Sequence, residues 1–282
     1  MSSPTLSPPP SPSPWMDSPS DPPVRRTSRT RSVWVIGGSI LTALALIFGA
    51  LQAASALATD TRTTDQSFDA GEINAIEISV DNGAVVIDGR ESADQIRVQS
   101  RIREGLTSTD FSLRVTNGRL VIRGECGWLS EWCESRVNVI APPNVPVVVT
   151  SDNDDITVRR MRGGVDLTTE NGDIAVGRLS QRVRLQSENG DIIAKQLAAS
   201  TLRAGTENGT VSLVFSSPPG RVDATSENGD VELVLPDTPD AYRLSTNTDN
   251  GAVDDSIRTD PSSNRTINMS SGNGDLTVRY PS

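Results

Sequence analysis

Histidine is absent from the sequence, and Lys195 is its only lysine. Without histidine the chain lacks the side chain that most often acts as a general base, a metal ligand or a pH switch near neutrality. Any Schiff-base or Ser-Lys chemistry would depend on Lys195 alone. Amphipathic helices are also missing from Ile73 onward, where the apolar residues alternate as they do in β-strands. These absences disfavour most enzyme classes and predict an all-β domain.

Basic charge is scarce after the N-terminal segment. The chain has 26 basic and 36 acidic residues, and residues 1–58 hold four Arg and two Asp. Residues 59–282 therefore carry 22 basic and 34 acidic residues, a net charge of −12. A domain this acidic lacks the positive surface that binds phosphate backbones. We therefore expect no nucleic-acid partner.

Pro and Ser dominate residues 1–32, which end in the basic stretch RRTSRTRS. Because the segment has few apolar residues to bury, it cannot offset the conformational entropy that ordering would cost. We therefore predict a disordered tail. Residues 33–58 follow without a single charge. As a helix rising about 1.5 Å per residue they would reach about 39 Å, enough to cross a bilayer core of about 30 Å. Because the four arginines precede this run, we predict one transmembrane helix with the tail in the cytoplasm and the remainder outside.

A cleaved signal peptide is the alternative, because Ala56, Leu57 and Ala58 fit a small-residue cleavage site. The uncharged run is long for a signal peptide, so an uncleaved signal anchor is favoured. Both alternatives place the bulk of the chain outside the cytoplasm. After the span we predict a polar linker at residues 59–72 and one domain at residues 73–282.

A short motif centred on Asn recurs along this domain. TTENGDIAV returns as QSENGDIIA, GTENGTVSL and TSENGDVEL, and the aligned asparagines are Asn82, Asn117, Asn153, Asn171, Asn189, Asn208, Asn228, Asn250 and Asn273. Gly follows every one except Asn153. From Asn153 onward the spacing is 18 to 23 residues, and the two earlier spacings, 35 and 36, are about double. The double spacing predicts an intervening turn without Asn, such as APPNVP.

Apolar residues stand at fixed distances from these asparagines. Three positions after each Asn the sequence has Val85, Leu120, Ile156, Ile174, Ile192, Val211, Val231, Val253 and Leu276. Six positions before it an apolar residue is again present in all nine units. Each unit is therefore predicted to be a strand, a corner and a second strand, with alternate side chains facing a common interior.

The near-fixed period favours one of two possible architectures. Asn and Gly tolerate positive φ, so Asn-Gly suits a corner and, taken alone, a hairpin. Nine units near twenty residues favour a single β-solenoid resembling a parallel β-helix, in which equivalent Asn side chains stack as a structural ladder. The predicted ladder comprises Asn153, Asn171, Asn189, Asn208, Asn228, Asn250 and Asn273. An antiparallel sandwich or barrel of hairpins stays open as the alternative.

The stretch VNVIAPPNVPVVVTSDNDDITV, followed by successive [S/T]-E-N-G-D corners, resembles the bacterial "putative adhesin" domain of unknown function. Its members are membrane-tethered envelope proteins with a β-solenoid ectodomain. The resemblance covers about Ile73 to Val278 and is strongest from Val137 to Leu235. It implies a bacterial envelope location and an adhesin-like or structural role. It carries no catalytic residue over to this chain.

Cys126 and Cys133 lie in the stretch GECGWLSEWCESR, which the predicted topology places outside the cytoplasm. Two thiols seven residues apart in an oxidising space predict a disulfide. The loop also carries Trp128 and Trp132, which could stack on sugar rings or anchor a protein partner. Packing of both rings over the solenoid wall is the alternative and is favoured, because aromatic residues are scarce and the core needs them.

The acidic corners, such as Glu170 with Asp173, could bind Ca²⁺ through oxygen atoms. They lack the Gly-Gly-x-Gly-x-Asp pattern of calcium-binding rolls, so a row of solvated acids is favoured. We predict no catalytic residues, no cofactor and no metal site.

The predicted function is a non-enzymatic, single-pass envelope protein whose solenoid serves adhesion or interaction with an envelope glycan or protein. One rival is a polysaccharide-active β-helix enzyme that uses carboxylate pairs such as Asp154 with Asp155 or Asp254 with Asp255. The other is a transmembrane sensor or regulator whose tail contacts a cytoplasmic partner.

Overall fold

The computed structural model describes residues 42, 45–49, 60–104, 110–126 and 133–281, which fall into two units. In the unit Met1–Leu51, residues 42 and 45–49 are helical. The predicted tail at residues 1–32, and most of the predicted span at residues 33–58, lie outside the described residues. In the part of the chain that is described, no helix is both long and apolar enough to cross a membrane.

The unit Gln52–Ser282 is built from β-strands, as the alternating apolar residues predict. A 3-10 turn at Ala70–Glu72 separates the first two strands. The strands are β1 (Asp60–Asp69), β2 (Ala75–Asn82), β3 (Val85–Gly89), β4 (Gln95–Glu104), β5 (Asp110–Thr116), β6 (Arg119–Glu125), β7 (Glu134–Ala141), β8 (Val147–Asn153), β9 (Ile156–Arg159), β10 (Val165–Asn171), β11 (Ile174–Gly177), β12 (Ser180–Asn189), β13 (Ile192–Asn208), β14 (Val211–Phe215), β15 (Arg221–Asn228), β16 (Val231–Val234), β17 (Arg243–Asn250), β18 (Val253–Asp255), β19 (Thr266–Asn273) and β20 (Leu276–Arg279).

Two largely parallel sheets enclose the interior. The upstream sheet contains the strands that precede each corner, in the order β5-β6-β2-β8-β10-β12-β13-β15-β19-β17. The downstream sheet contains the strands that follow each corner, in the order β1-β4-β7-β3-β9-β11-β13-β14-β16-β20-β18. The long strand β13 belongs to both sheets. Each corner with its two strands forms one rung of a solenoid-like stack.

The rungs are not stacked in the order of the chain. Strand β2 lies between β6 and β8, so the rung of Asn82 has a later segment on its outer side. At the other end β19 lies between β15 and β17, so the rung of Asn273 is inserted before the rung of Asn250. Three antiparallel strands, β5, β4 and β1, cover the end of the stack near β6 and β7.

The prediction of nine equivalent corners is wrong at Asn117. There β5 and β6 pair antiparallel, so Asn117 and Gly118 form a two-residue hairpin turn with φ values of 53° and 74°. Both central residues of such a turn need positive φ, which Asn-Gly supplies most easily. The same dipeptide therefore serves two turns, and the pairing partners of β5 decide which one forms.

The predicted linker at residues 59–72 is also corrected. Residues Asp60–Asp69 form β1, which pairs antiparallel with β4 from Asp60 opposite Glu104 to Asp69 opposite Gln95. Phe68 packs against the core. The stretch lacks apolar alternation because it adds to a sheet edge chiefly through backbone hydrogen bonds.

The apolar positions fill the interior in rows that run along the stack. Ile174, Ile192, Val211 and Val231 are register partners on successive strands and are fully buried, as their positions in the repeat predict. Val253, the predicted inward residue of the last unit, is instead 45% exposed. It lies on β18, which pairs only with β20 and so has no further rung to cover it.

Candidate functional site

The repeated corners are joined by a one-directional asparagine ladder. Each Nδ2 donates to the Oδ1 of the neighbouring rung, from Asn171 to Asn153 (3.1 Å), Asn189 to Asn171 (3.0 Å), Asn208 to Asn189 (2.8 Å), Asn228 to Asn208 (3.1 Å), Asn273 to Asn228 (2.9 Å) and Asn250 to Asn273 (3.0 Å). The ladder holds all seven asparagines that the sequence placed in it. The asparagine side chains therefore form the hydrogen bonds that hold neighbouring rungs together.

A second ladder is formed by the aspartates that stand two residues after most of the ladder asparagines. Their Oδ1 atoms accept a backbone N–H from the next rung, in the pairs Asp155 with Asp173 (3.0 Å), Asp173 with Asp191 (2.8 Å), Asp191 with Thr210 (2.7 Å), Asp230 with Asp275 (2.8 Å) and Asp275 with Ala252 (2.8 Å). These carboxylates satisfy backbone donors that the sharp corner leaves without a strand partner. Most of these acids are exposed, as expected for solvated acids, and they also act as hydrogen-bond acceptors for the next rung.

Small hydroxyl side chains form a third ladder just inside the corners. Buried Ser or Thr residues donate to a corner carbonyl of the neighbouring rung, among them Ser187 to Gly172 (3.1 Å), Thr206 to Gly190 (2.9 Å), Ser226 to Gly209 (2.8 Å) and Ser271 to Gly229 (2.9 Å). Buried hydroxyl groups are costly unless bonded, and here each bond also ties one rung to the next.

Close stacking, more than backbone conformation, explains the corner glycines. Among the described residues, Asn117 is the one repeat asparagine with positive φ, so most corners do not use the left-handed region at Asn. A Cβ on Gly190 would lie against the carbonyl oxygen of Gly172, nearer than the 3.0 Å that real Cβ atoms keep. Only glycine allows rungs to approach so closely.

The disulfide loop replaces an Asn-Gly corner. Cys126 and Cys133 are bonded (S–S 2.02 Å), and they join β6 to β7 where Asn82 and Gly83 join β2 to β3 in the adjacent rung. This loop is the intervening corner within the second double spacing, between Asn117 and Asn153. APPNVP is not that corner, because it connects β7 to β8 at the opposite side of the rung.

The Cys126 end of the loop is bonded to its neighbouring rung. Its backbone N–H donates to Asp81 Oδ2 (2.8 Å), and Asn82 Nδ2 donates to Cys126 Sγ (3.6 Å). The asparagine ladder itself ends at Asn153, whose Nδ2 donates to the Asp81 backbone carbonyl (3.3 Å), and the Asn82 side chain is bonded to the disulfide instead. Trp128 and Trp132 lie outside the described residues, so their role in ligand contact stays a prediction.

A column of like charges precedes the asparagines. In register, Asp152 lies between Asp81 and Glu170. Partial burial raises the pKa of the Asp152 carboxyl, and repulsion from these two neighbours raises it further. Within residues 60–104, 110–126 and 133–281, no group of three or more acidic or sulfur side chains is placed to hold a metal ion.

Asp154 stands in the place of a corner glycine and has a φ of 122°, which side-chain-bearing residues rarely adopt. Burial raises the pKa of its carboxyl, and the charges of Glu134 and Asp155 add to the effect. A hydrogen bond from the Gly83 backbone and the charge of Arg136 oppose it. The balance leaves the Asp154 pKa above its ordinary value.

The two carboxylate pairs considered for an enzyme differ in their surroundings. One carboxylate oxygen of Asp155 accepts a hydrogen bond from the Asp173 backbone N–H, so this oxygen stabilises the stack of rungs. Asp254 and Asp255 are consecutive residues of β18, and consecutive strand residues point to opposite faces. Asp254 and Asp255 are therefore not arranged as an acid and a base that face one substrate.

The structure brings together basic side chains that no sequence motif predicts, and one such cluster lies on the downstream sheet. Arg159, Arg178 and Lys195 come from three successive rungs and line a depression of about 420 Å³ on the outer face of the downstream sheet. The signal was present in the fragments VRRM, VGRL and AKQL, which each precede the second corner of a rung. Scattered single cations gave no motif, because only the rung register brings them together.

The sequence pattern of the family Toastrack DUF4097, a domain of unknown function, matches residues 70–280. The chain belongs to this family. The Toastrack match begins within the 3-10 turn after β1 and ends just after β20, so it includes every rung described above. No curated protein matches the chain.

Several solved bacterial structures are similar to this Toastrack chain at low sequence identity. A "putative cell adhesion protein" from Clostridium sporogenes has 10% identity and a TM-score of 0.33, over 79% of this chain and 100% of that one. A "putative adhesin" from Bacteroides fragilis has 11% identity and a TM-score of 0.37, over 78% and 97%. A "Putative lipid binding protein" from Parabacteroides distasonis has 11% identity and a TM-score of 0.34, over 80% and 97%.

Proposed function

We propose that this chain is a non-enzymatic envelope protein that presents its Toastrack solenoid outside the cytoplasm for adhesion or for interaction with the cell wall or another protein. A single span at residues 33–58 would tether it, with residues 1–32 in the cytoplasm. The solenoid would act as a rigid scaffold whose outer faces and disulfide loop meet the partner.

The engagement of the repeated polar side chains in bonds between rungs is the observation that carries this proposal. Asn, Asp, Ser and Thr at the corners are the residues that would otherwise suggest chemistry, and they bond to the neighbouring rung. An active site needs groups that converge on a substrate rather than on the fold itself. A scaffold that is stiff along its length instead suits the presentation of a surface.

The envelope location is supported by the order of charges in the sequence. Four arginines precede the uncharged run, and no positive residue occurs between Val33 and Ala58. The positive-inside rule then favours a cytoplasmic N-terminus and an external C-terminal domain. A disulfide between Cys126 and Cys133 fits an oxidising compartment.

Protease accessibility in intact cells tests the location. With one tag before Met1 and another after Ser282, external protease should remove the C-terminal tag and leave the N-terminal tag intact. The full chain should stay in the membrane fraction after washing with high salt. A mature N-terminus at Thr59 in a soluble fraction, found by mass spectrometry, would contradict the anchor.

Binding to isolated cell envelope tests the scaffold role. The full chain should bind envelope, and the variant Trp128→Ala with Trp132→Ala should bind more weakly if the loop displays its indoles to the partner. If the double variant folds and binds as wild type does, the loop has only a structural role and the outer sheet faces contact the partner. If wild type does not bind envelope at all, the adhesion role is wrong.

A further inference from the structure

The cation cluster on the downstream sheet is arranged around a glycine. Gly177 is the register partner of Arg159 on one neighbouring strand and of Lys195 on the other. Neighbouring strands lie about 4.8 Å apart, so the backbones of the two cations are about 10 Å apart with no side chain between them. A Cβ added at Gly177 would meet only the Lys195 carbonyl oxygen, at 3.7 Å, so the notch between them is open.

These cations have no acidic partner, unlike some of the arginines elsewhere in the described residues. Among the described residues, neither Arg159 nor Lys195 has a carboxylate within 4.0 Å, whereas Arg203 and Arg221 on the upstream sheet share Asp223. Arg178 donates its Nε to the neutral Gln196 Oε1 (2.8 Å), so its charge is not compensated there. The domain has a net charge of −12, so these uncompensated cations form a patch of opposite sign to the domain as a whole.

The backbone at the edge of the notch is strained. Arg160, Arg178 and Gln196 occupy the same place in three successive rungs, and their φ values are 57°, 56° and 55°. This left-handed conformation is unfavourable for a side-chain-bearing residue and is easiest for Gly or Asn. The rungs keep long polar side chains there, although Gly would adopt this conformation without strain. Strain that persists beside exposed cations points to a use for the side chains.

Apolar groups form the floor of the depression. Ala175 and Ile193 line it beside Gly177, and Ile193 is 38% exposed. Arg160, at the same edge, is paired with Asp88 and so contributes less free charge. The surface therefore combines separated cations with a shallow, partly apolar base, which suits a flexible chain that carries anionic groups at intervals.

We propose that this notch, formed by Arg159, Gly177, Arg178 and Lys195, binds the phosphate groups of a phosphodiester polymer in the cell envelope. The proposal deepens the function proposed above, since it names a class of partner for the scaffold. Guanidinium groups match the oxygen geometry of phosphate, and the ammonium of Lys195 adds a compact charge. Two cations on strands whose backbones lie about 10 Å apart match successive charges of a polymer better than one small ion.

The test measures binding of the purified full chain to poly(glycerol phosphate) by calorimetry at several salt concentrations. The test variant is Arg159→Gln with Arg178→Gln and Lys195→Gln. The matched control is Arg182→Gln with Arg184→Gln and Arg203→Gln, which removes the same charge from the upstream sheet. Gln196 already occupies the place of Arg178 one rung further on, so the test variant should fold.

We expect the test variant to bind at least about tenfold more weakly, with the slope of log K against log salt reduced by roughly two, and the control to bind within about twofold of wild type. Equal weakening of both variants would overturn the site, because binding would then follow net charge. No binding by wild type, tighter binding of polygalacturonate, or binding only to phosphatidylglycerol vesicles would overturn the phosphodiester assignment. Because purified components are used, these outcomes are independent of where the protein resides and of envelope binding through the tryptophan loop.

Discussion

Asn82 donates its Nδ2–H to Cys126 Sγ across 3.6 Å, so the row of corner side chains ends on a disulfide instead of on another amide. The rung of β6 and β7 has no Asn-Gly corner of its own. A covalent link closes that corner and holds the two strands at the spacing that the neighbouring rung requires. The disulfide is therefore part of the stack and not an appendage to it.

Replacing both cysteines with serine should lower the free energy of unfolding by roughly 2.5 kcal/mol, because so short a loop would gain this much entropy in the unfolded chain. Chemical denaturation checks the loss. Hydrogen exchange should show the extra opening in β6 and β7 and not in β15 and β16 at the far side of the stack. A uniform loss of protection across all rungs would contradict a local role.

The asparagine ladder predicts that an Asn→Ala substitution costs more stability inside the ladder than at its end. Asn189→Ala removes two ladder bonds, one donated to Asn171 and one accepted from Asn208. Asn250→Ala removes only the bond donated to Asn273. At about 1 kcal/mol per bond, the inner variant should lose about twice as much stability as the terminal one in urea denaturation. Equal losses would mean that the ladder adds little beyond the corner itself.

Close stacking of the corners predicts a steep cost at Gly190. Gly190→Ala forces the rungs apart because its Cβ meets the Gly172 carbonyl, and the cost should be about 2 kcal/mol or more. Gly164 is the matched control, since no atom lies within 4 Å of a Cβ placed there. Gly164→Ala should be neutral or slightly stabilising. Thermal denaturation of the two variants separates steric contact from a general effect of alanine.

The aspartate column predicts a distinction between two substitutions at one position. Asp191→Ala removes the acceptor of the Thr210 backbone N–H and should cost about 1 kcal/mol. Asp191→Asn keeps an Oδ1 acceptor and should retain most of the stability. If both variants melt as wild type does at neutral pH, the carboxylate is only a solvated charge.

Replacement of Asp152 should increase the stability of the protein in a way that depends on pH. Its pKa is raised above 3.8 in the folded protein by burial and by Asp81 and Glu170, so folding is favoured when it is protonated and disfavoured as pH rises through the raised pKa. Asp152→Asn should therefore stabilise the protein at pH 7 by less than about 1 kcal/mol. Below pH 3.8 the gain should vanish, because Asp152 is then neutral in both states. Melting curves across this range check the sign.

The sequence by itself determined the content of a rung. Ile174, Ile192 and Val211 face the interior because alternation is a local property of any strand, and the asparagines lie in one row because each corner repeats at the same place. These features need no knowledge of which rung lies beside which. The same holds for Cys126 and Cys133, which are near each other along the chain.

The tertiary structure alone decided the order of the rungs and the use of each turn. Parallel strands with the same pattern of inward residues are interchangeable as neighbours, so no local signal places β2 between β6 and β8 or β19 between β15 and β17. Asn117-Gly118 becomes a hairpin because β5 pairs antiparallel with β6 and covers the end of the stack. The cluster of Arg159, Arg178 and Lys195 also exists only through register. Long-range pairing fixes these features, since the free energy of a strand depends on its partners.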